Sequence, residues 1–95
     1  MIQINYFVYI ITNKNNTTLY TGMTKNLLRR VMEHKTGLGG SFSKRYKLSK
    51  LVYFEVYPER ISAVDREKQI KAGSREKKLE LIQSLNPGWE DLLER

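Results

Sequence analysis

An α/β sequence of the α+β kind, with a small three-stranded antiparallel sheet flanked by helices, is what these 95 residues predict. Two β-branched and aromatic runs, "YFVYIIT" and "TLYTG", flank the polar, asparagine-rich "NKNNT", which is the pattern of a hairpin. A third such run, "KLVYFEVY", stops at Pro58, since proline cannot donate to a ladder. The other periodic segments have helical spacing and carry helix caps. The expected order is ββα, then β, then αα, in a single domain over residues 1–95, because a chain of this length buries one modest core and has no room for a second.

The elements follow in order. Tyr6 to Thr12 is the first strand, and the second resumes at "TLYTG". Asn26 is an N-cap to a helix from Leu27 to about Lys35, with Leu27, Leu28, Val31 and Met32 as its apolar stripe and positions 26, 30 and 34 on the opposite, polar face. "TGLGGSFS" is a glycine-rich break, too polar and flexible to pack, that leads into the basic "KRYKLSK" as a mobile substrate loop. In the third strand strict alternation puts Leu51, Tyr53, Glu55 and Tyr57 on one side and Val52, Phe54 and Val56 on the other. Ser62 with Asp65 reads as a capping box that opens a second helix, stopped by Gly73 after Ala72. Ser74 caps a third helix, "REKKLELIQSL", which ends before Pro87, and the tail folds back so that Trp89 closes the core.

Composition narrows the function classes. With no cysteine there is no disulfide framework and no thiolate metal site, which fits an intracellular protein. The apolar N-terminal run lacks a basic start and a cleavage site, and nothing approaches the ~18 apolar residues of a membrane span, so a cytoplasmic protein with no membrane partner is expected. The net charge of +7 is not spread evenly. Lys25, Arg29, Arg30, Lys35, Lys44, Arg45, Lys47 and Lys50 stand against Glu33 alone, while the rest of the chain balances. A surface that meets phosphates leaves that footprint, and Lys25, Arg29, Lys35, Lys44, Arg45, Tyr46 and Lys47 are the candidate nucleic-acid contacts.

Val8-Tyr9-Ile10, Tyr20-Thr21-Gly22, Arg30 and His34 on the following helix, and Glu67 on a later one occur in an order that resembles the GIY-YIG nuclease superfamily. That superfamily includes the N-terminal domain of the excinuclease C subunit, and "REKQIKAGSREKKLELIQSLNPGW" is similar to its small stand-alone bacterial members. The resemblance covers nearly the whole chain. It implies a divalent-metal-dependent DNA endonuclease using Mg²⁺ or Mn²⁺, with Tyr9, Tyr20, Arg30, His34 and Glu67 as catalytic residues and Glu67 as the metal ligand. Asn86 falls near a further polar position of the family. Some members carry a lysine after the motif glycine, where this chain has Met23.

The chemistry of these residue types suits that role. Phosphodiester hydrolysis needs an activated water, a counter-charge for the pentacoordinate phosphate and stabilisation of the leaving oxygen. Arginine stays protonated and can fork two phosphate oxygens. His34 is one helical turn from Arg30 and can steer a proton, so Tyr9, Tyr20 and His34 all stand as candidates to deprotonate water. A lone Glu67 suits one hydrated Mg²⁺ whose other ligands include the substrate; Asp65 lies on the other side of its helix, which argues against a two-metal site. Taken singly, each residue has an ordinary reading: strand tyrosines, a solvated helix face, a Glu67–Lys71 pair, and a Gly22 that serves backbone approach. Tyr46, Tyr53 and Tyr57 among lysines favour stacking of unpaired bases, and hence single-stranded or branched DNA. The alternative function is a nucleic-acid-binding module with the same fold and no turnover.

Overall fold

The computed structural model describes residues 3–94. Its elements are β1 (Tyr6–Thr12), β2 (Leu19–Thr24), α1 (Leu27–Lys35), α2 (Ser41–Tyr46), β3 (Lys50–Tyr57), α3 (Arg60–Ala72) and α4 (Arg75–Leu85). The three strands form one antiparallel sheet in the order β2-β1-β3, which leaves β2 and β3 as edges. The hairpin turn is held by Asn13, whose side-chain oxygen accepts from the backbone N–H groups of Thr17 and Thr18. Buried Thr12 donates across the turn to the Thr18 carbonyl at 2.7 Å.

The central strand feeds two apolar clusters, one on each face of the sheet, where a single core was expected. Val8 and Ile10 pack with Val52, Tyr53, Ala63, Ile70 and Ile82 on the face covered by α3 and α4, where Trp89 also lies. Tyr9 and Ile11 pack with Val31, Leu48 and Leu51 on the face covered by α1. Strict alternation along β3 is broken. The register shifts between Ile10 and Ile11, with Ile10 opposite Tyr53 and Ile11 opposite Leu51, so Val52 is an extra residue in the ladder. Such a bulge puts Val52 and Tyr53 in the same core and sends Leu51 to the other, which corrects the two-sided grouping expected from period two.

The caps are as the local sequence dictates at α1 and α4. Asn26 accepts from the Arg29 N–H, and Ser74 from the Lys77 N–H. Three local expectations are corrected. Helix α3 starts at Arg60 behind Glu59, which makes no side-chain cap, so Ser62 and Asp65 sit inside the first turns and are not a capping box. The glycine-rich stretch is not all loop, because Ser41–Tyr46 forms α2 and Ser43 is buried. The apolar stripe of α1 is rotated: Leu28 and Met32 are 62% and 46% exposed, while Val31 and His34 are buried. Leu27, Val31 and His34 form the inward row at helical spacing, and a histidine can occupy it because both ring nitrogens find partners there.

Candidate active site

The site forms where α1 covers the β1–β2 hairpin. Tyr9 and Gly22 are opposite one another in the ladder. A Cβ at position 22 would lie 2.4 Å from the Tyr9 hydroxyl oxygen and 2.6 Å from Cζ, so only glycine lets the phenol lie across β2. Tyr9 is 1% exposed, and its hydroxyl meets His34 Nε2 at 3.1 Å. His34, 2% exposed, places Nδ1 2.8 Å from Ser43 Oγ. The Ser43 hydroxyl can donate to the His34 carbonyl at 3.3 Å, and in that arrangement it accepts from Nδ1–H. Nε2 is then the bare nitrogen and accepts from the Tyr9 O–H. Gly39 closes this chain from above: a Cβ there would come within 2.6 Å of Nδ1.

The charges are set by burial and by one arginine. Burial pushes the Tyr9 phenol up to about 12, with Arg30 pulling it down and Tyr20 and Glu67 adding to the rise. Burial, and then the Arg30 charge, push His34 down to about 4 against the pull of Glu33. The imidazole is therefore neutral at neutral pH. Burial disfavours the charged form of both partners, raising the phenol and lowering the imidazole, so the pair is a hydrogen bond and not an ion pair. Arg30 is held above its ordinary range; burial opposes this, but the Tyr9, Glu33 and Tyr20 oxygens outweigh it. Its guanidinium is partly exposed and bonds Glu33 at 3.2 Å and the Gly39 carbonyl at 3.5 Å.

Tyr20 is half-buried, with its ring 6.4 Å from that of Tyr9 and 5.2 Å from His34. Glu67 comes from α3, on the other face of the sheet, and its charge reaches the Tyr9 phenol. It pairs with Lys71 at 3.2 Å, a contact with a largely exposed lysine that a stronger cation displaces at small cost. Among the described residues no three His, Cys, Asp or Glu side chains gather as a metal cage. A single partly exposed carboxylate is a donor set that fits one hydrated, oxygen-seeking divalent ion whose other ligands come from water and substrate.

The structure thus brings Tyr9, Tyr20, Gly22, Arg30 and His34 together, with Glu67 within electrostatic range. Asp65 is exposed. Lys25 and Arg29 are exposed around the start of α1, with Arg29 on Glu33 at 3.5 Å. Lys44, Arg45, Tyr46 and Lys47 are exposed along α2 and its C-cap. Lys35 is neutralised by Asp91 and Glu94, which hold it above its ordinary range although burial acts the other way. Asn86 lies outside the site: it is buried and bonds the Val52 and Glu90 carbonyls. Met23 packs into the α3-side core. Tyr53 is not a stacking platform, because it is buried; its hydroxyl and that of Tyr57 both donate to Glu55. Sequence reasoning passed over Gly39, Phe42 and Ser43, which carried no signal beyond sitting in a glycine-rich segment.

The GIY-YIG catalytic domain profile matches residues 5–80. The chain is 41% identical over 78 residues to a UPF0213 protein of Clostridium perfringens, covering 82% of this chain and 83% of that one. It is 38% identical over 77 residues to a UPF0213 protein of Staphylococcus saprophyticus, covering 81% and 93%. The NMR structure of a UPF0213 protein from Bacillus halodurans superposes with a TM-score of 0.59 at 30% identity over 93% of each chain. With the profile spanning most of its length, this chain belongs to the GIY-YIG catalytic domain family.

Proposed function

We propose that this protein is a divalent-metal-dependent DNA endonuclease that hydrolyses phosphodiester bonds with one metal ion. The observation that carries the reading is the gathering of two phenols, a neutral imidazole and a partly exposed arginine beside a glycine-cleared strand, within reach of one carboxylate's charge. Arg30 is the phosphate-holding group: it is positively charged, set on a rigid helix and bonded to only one carboxylate. Tyr20 is the hydroxyl that meets the attacking water, since Tyr9 and His34 are buried and engaged with each other. The Tyr9–His34–Ser43 chain holds α1 and α2 against the hairpin and so keeps Arg30 in place. Glu67 would hold Mg²⁺ or Mn²⁺, which when bound supplies charge to the phosphate and its leaving oxygen.

A preference for single-stranded, flapped or branched DNA is part of the same proposal. Exposed Phe42 and Tyr46 support it, Phe42 lying next to Tyr20 and Tyr46 next to Phe42, with Lys44 and Lys47 exposed on the same segment. The test is a cleavage panel with Mg²⁺ and Mn²⁺ across single-stranded, duplex, flap and branched oligonucleotides. Cutting that EDTA abolishes and that Glu67→Gln removes without loss of binding is expected. Binding without cutting under every condition makes the protein a non-catalytic module, and equal rates on all four substrates remove the preference.

A further inference from the structure

His34 and Ser43 also border a feature that the proposed chemistry does not use. A cavity of about 950 Å³ opens between the β1–β2 turn and α2, and none of Tyr9, Tyr20, Arg30 or Glu67 lines it. Lys14, Lys35, Lys44, Arg45 and Lys47 line it, and no acidic side chain does. Of these, Lys35 is paired with Asp91. Elsewhere Arg29 and Arg30 share Glu33, Arg66 holds Glu55 and Lys71 meets Glu67, whereas the other four cavity cations have no carboxylate partner among the described residues. Like charges collected around one concavity repel one another, and an anion placed between them relieves that cost.

A second observation says which anion. A series of rings runs outward from the reacting centre, with Tyr20 to Phe42 at 5.7 Å and Phe42 to Tyr46 at 4.6 Å, and Tyr46 is itself part of the cavity wall. Phe42 and Tyr46 are 44% and 38% exposed, and the Arg45 guanidinium lies over the Tyr46 ring at 5.5 Å. Exposed rings leading into a basic trough match alternating bases and phosphates of an unpaired strand. An acidic peptide would use the cations but not the rings.

We propose that the DNA strand continues from the scissile phosphate over Phe42 and Tyr46 and lays its backbone in the cavity between the β1–β2 turn and α2, with Lys14, Lys44 and Lys47 neutralising its phosphates. The proposal rests on the nucleic-acid reading above and adds the hairpin turn as a contact surface. Because the rings require a free base face, this flanking segment is single-stranded.

The test is equilibrium binding of a labelled single-stranded oligonucleotide across a salt series, by fluorescence anisotropy in EDTA so that nothing is cut. The triple variant Lys14→Gln/Lys44→Gln/Lys47→Asn removes three phosphate contacts and is expected to flatten the log–log salt slope by about 2. Asparagine suits the left-handed backbone of Lys47, at φ 53°, and thermal melts matching the unmodified protein check folding. Phe42→Ala is expected to weaken single-stranded binding about tenfold and leave duplex binding nearly unchanged. An unaltered salt slope in the triple variant overturns the proposal, as does an equal loss on both substrates in Phe42→Ala. A protein that binds with the expected slope yet never cuts overturns the endonuclease reading and leaves the cavity assignment standing.

Discussion

The molecule contains two clusters built from the same parts, a pair of tyrosines and a helix arginine, and they differ in one component. In the first, Arg66 from α3 grips Glu55 of β3 through Nε at 2.9 Å and Nη2 at 3.0 Å, while the Tyr53 and Tyr57 hydroxyls donate to the same carboxylate. Burial acts to raise the Glu55 carboxyl, but the bonds from Arg66, Tyr53 and Tyr57 outweigh it and hold it below its ordinary range. Every strong donor has its acceptor. In the second, Tyr9, Tyr20 and Arg30 surround no carboxylate of that kind; Tyr9 falls back on an imidazole, and Arg30 on the partly exposed Glu33. The first cluster is complete as it stands, which is the mark of a structural network. The second leaves the Arg30 guanidinium partly exposed on an equally exposed Glu33, and that asymmetry sets an open cluster, the proposed binding centre, apart from a brace made of the same residue types.

Exchanging the arginines for alanine is the sharpest way to break this comparison. Arg30→Ala is expected to lower the cleavage rate by about 10³-fold with a melting temperature within a few degrees of the unmodified protein. Arg66→Ala is expected to do the reverse, keeping the turnover of folded protein while losing about 2 kcal/mol in denaturant unfolding, because it strands a half-buried carboxylate. Equal effects of the two changes on turnover would erase the distinction.

The pH dependence of stability sharpens it next. His34 stays neutral in the folded protein down to about 4, whereas its ordinary value is 6.5, so the unfolded chain binds a proton first as acid is added. The stability linked to His34 is therefore complete above pH 6.5 and is lost as the pH falls through 4, a change of roughly 3 kcal/mol. Denaturant titrations of the unmodified protein minus those of His34→Gln should isolate that slope, and a flat difference would mean that the imidazole takes up its proton at the same pH folded as unfolded.

Smaller effects come from the packing around the second cluster. Gly22→Ala must move the Tyr9 phenol, at about 1–3 kcal/mol of stability and with activity lost as the ring tilts away from His34, read by melts and by turnover on one preparation. Smallest is Tyr53→Phe, expected to cost about 1 kcal/mol and to leave cleavage unchanged, since Glu55 keeps Arg66 and Tyr57.

Much of the fold was legible in the sequence because its signals are local. Asn26 and Ser74 cap the helices that follow them, Pro58 comes directly after β3, Gly73 follows Ala72, and the three strands keep their expected places. The Tyr9, Tyr20, Arg30, His34 and Glu67 set came from the family resemblance and not from local signals; the first four lie side by side in the fold, and their catalytic roles are the proposal that the exchanges above test. The expected polar face of α1 does carry Arg30 and His34, but His34 is turned into the buried side while Arg30 stays partly exposed beside it.

What the sequence determined alone was therefore the set of elements, the stops between them and the excess of positive charge in one stretch of chain, since each depends on residues a few positions apart. Only the tertiary structure decided which tyrosines join the Glu55 brace and which gather around His34, that Val52 bulges, that His34 is buried while Leu28 is not, and that Gly39 and Ser43 close over the imidazole. A side chain's role depends on what the opposite face brings to it, and those partners, such as Glu55 against Arg66 or Ser43 against His34, are set by packing between segments that no local spacing encodes.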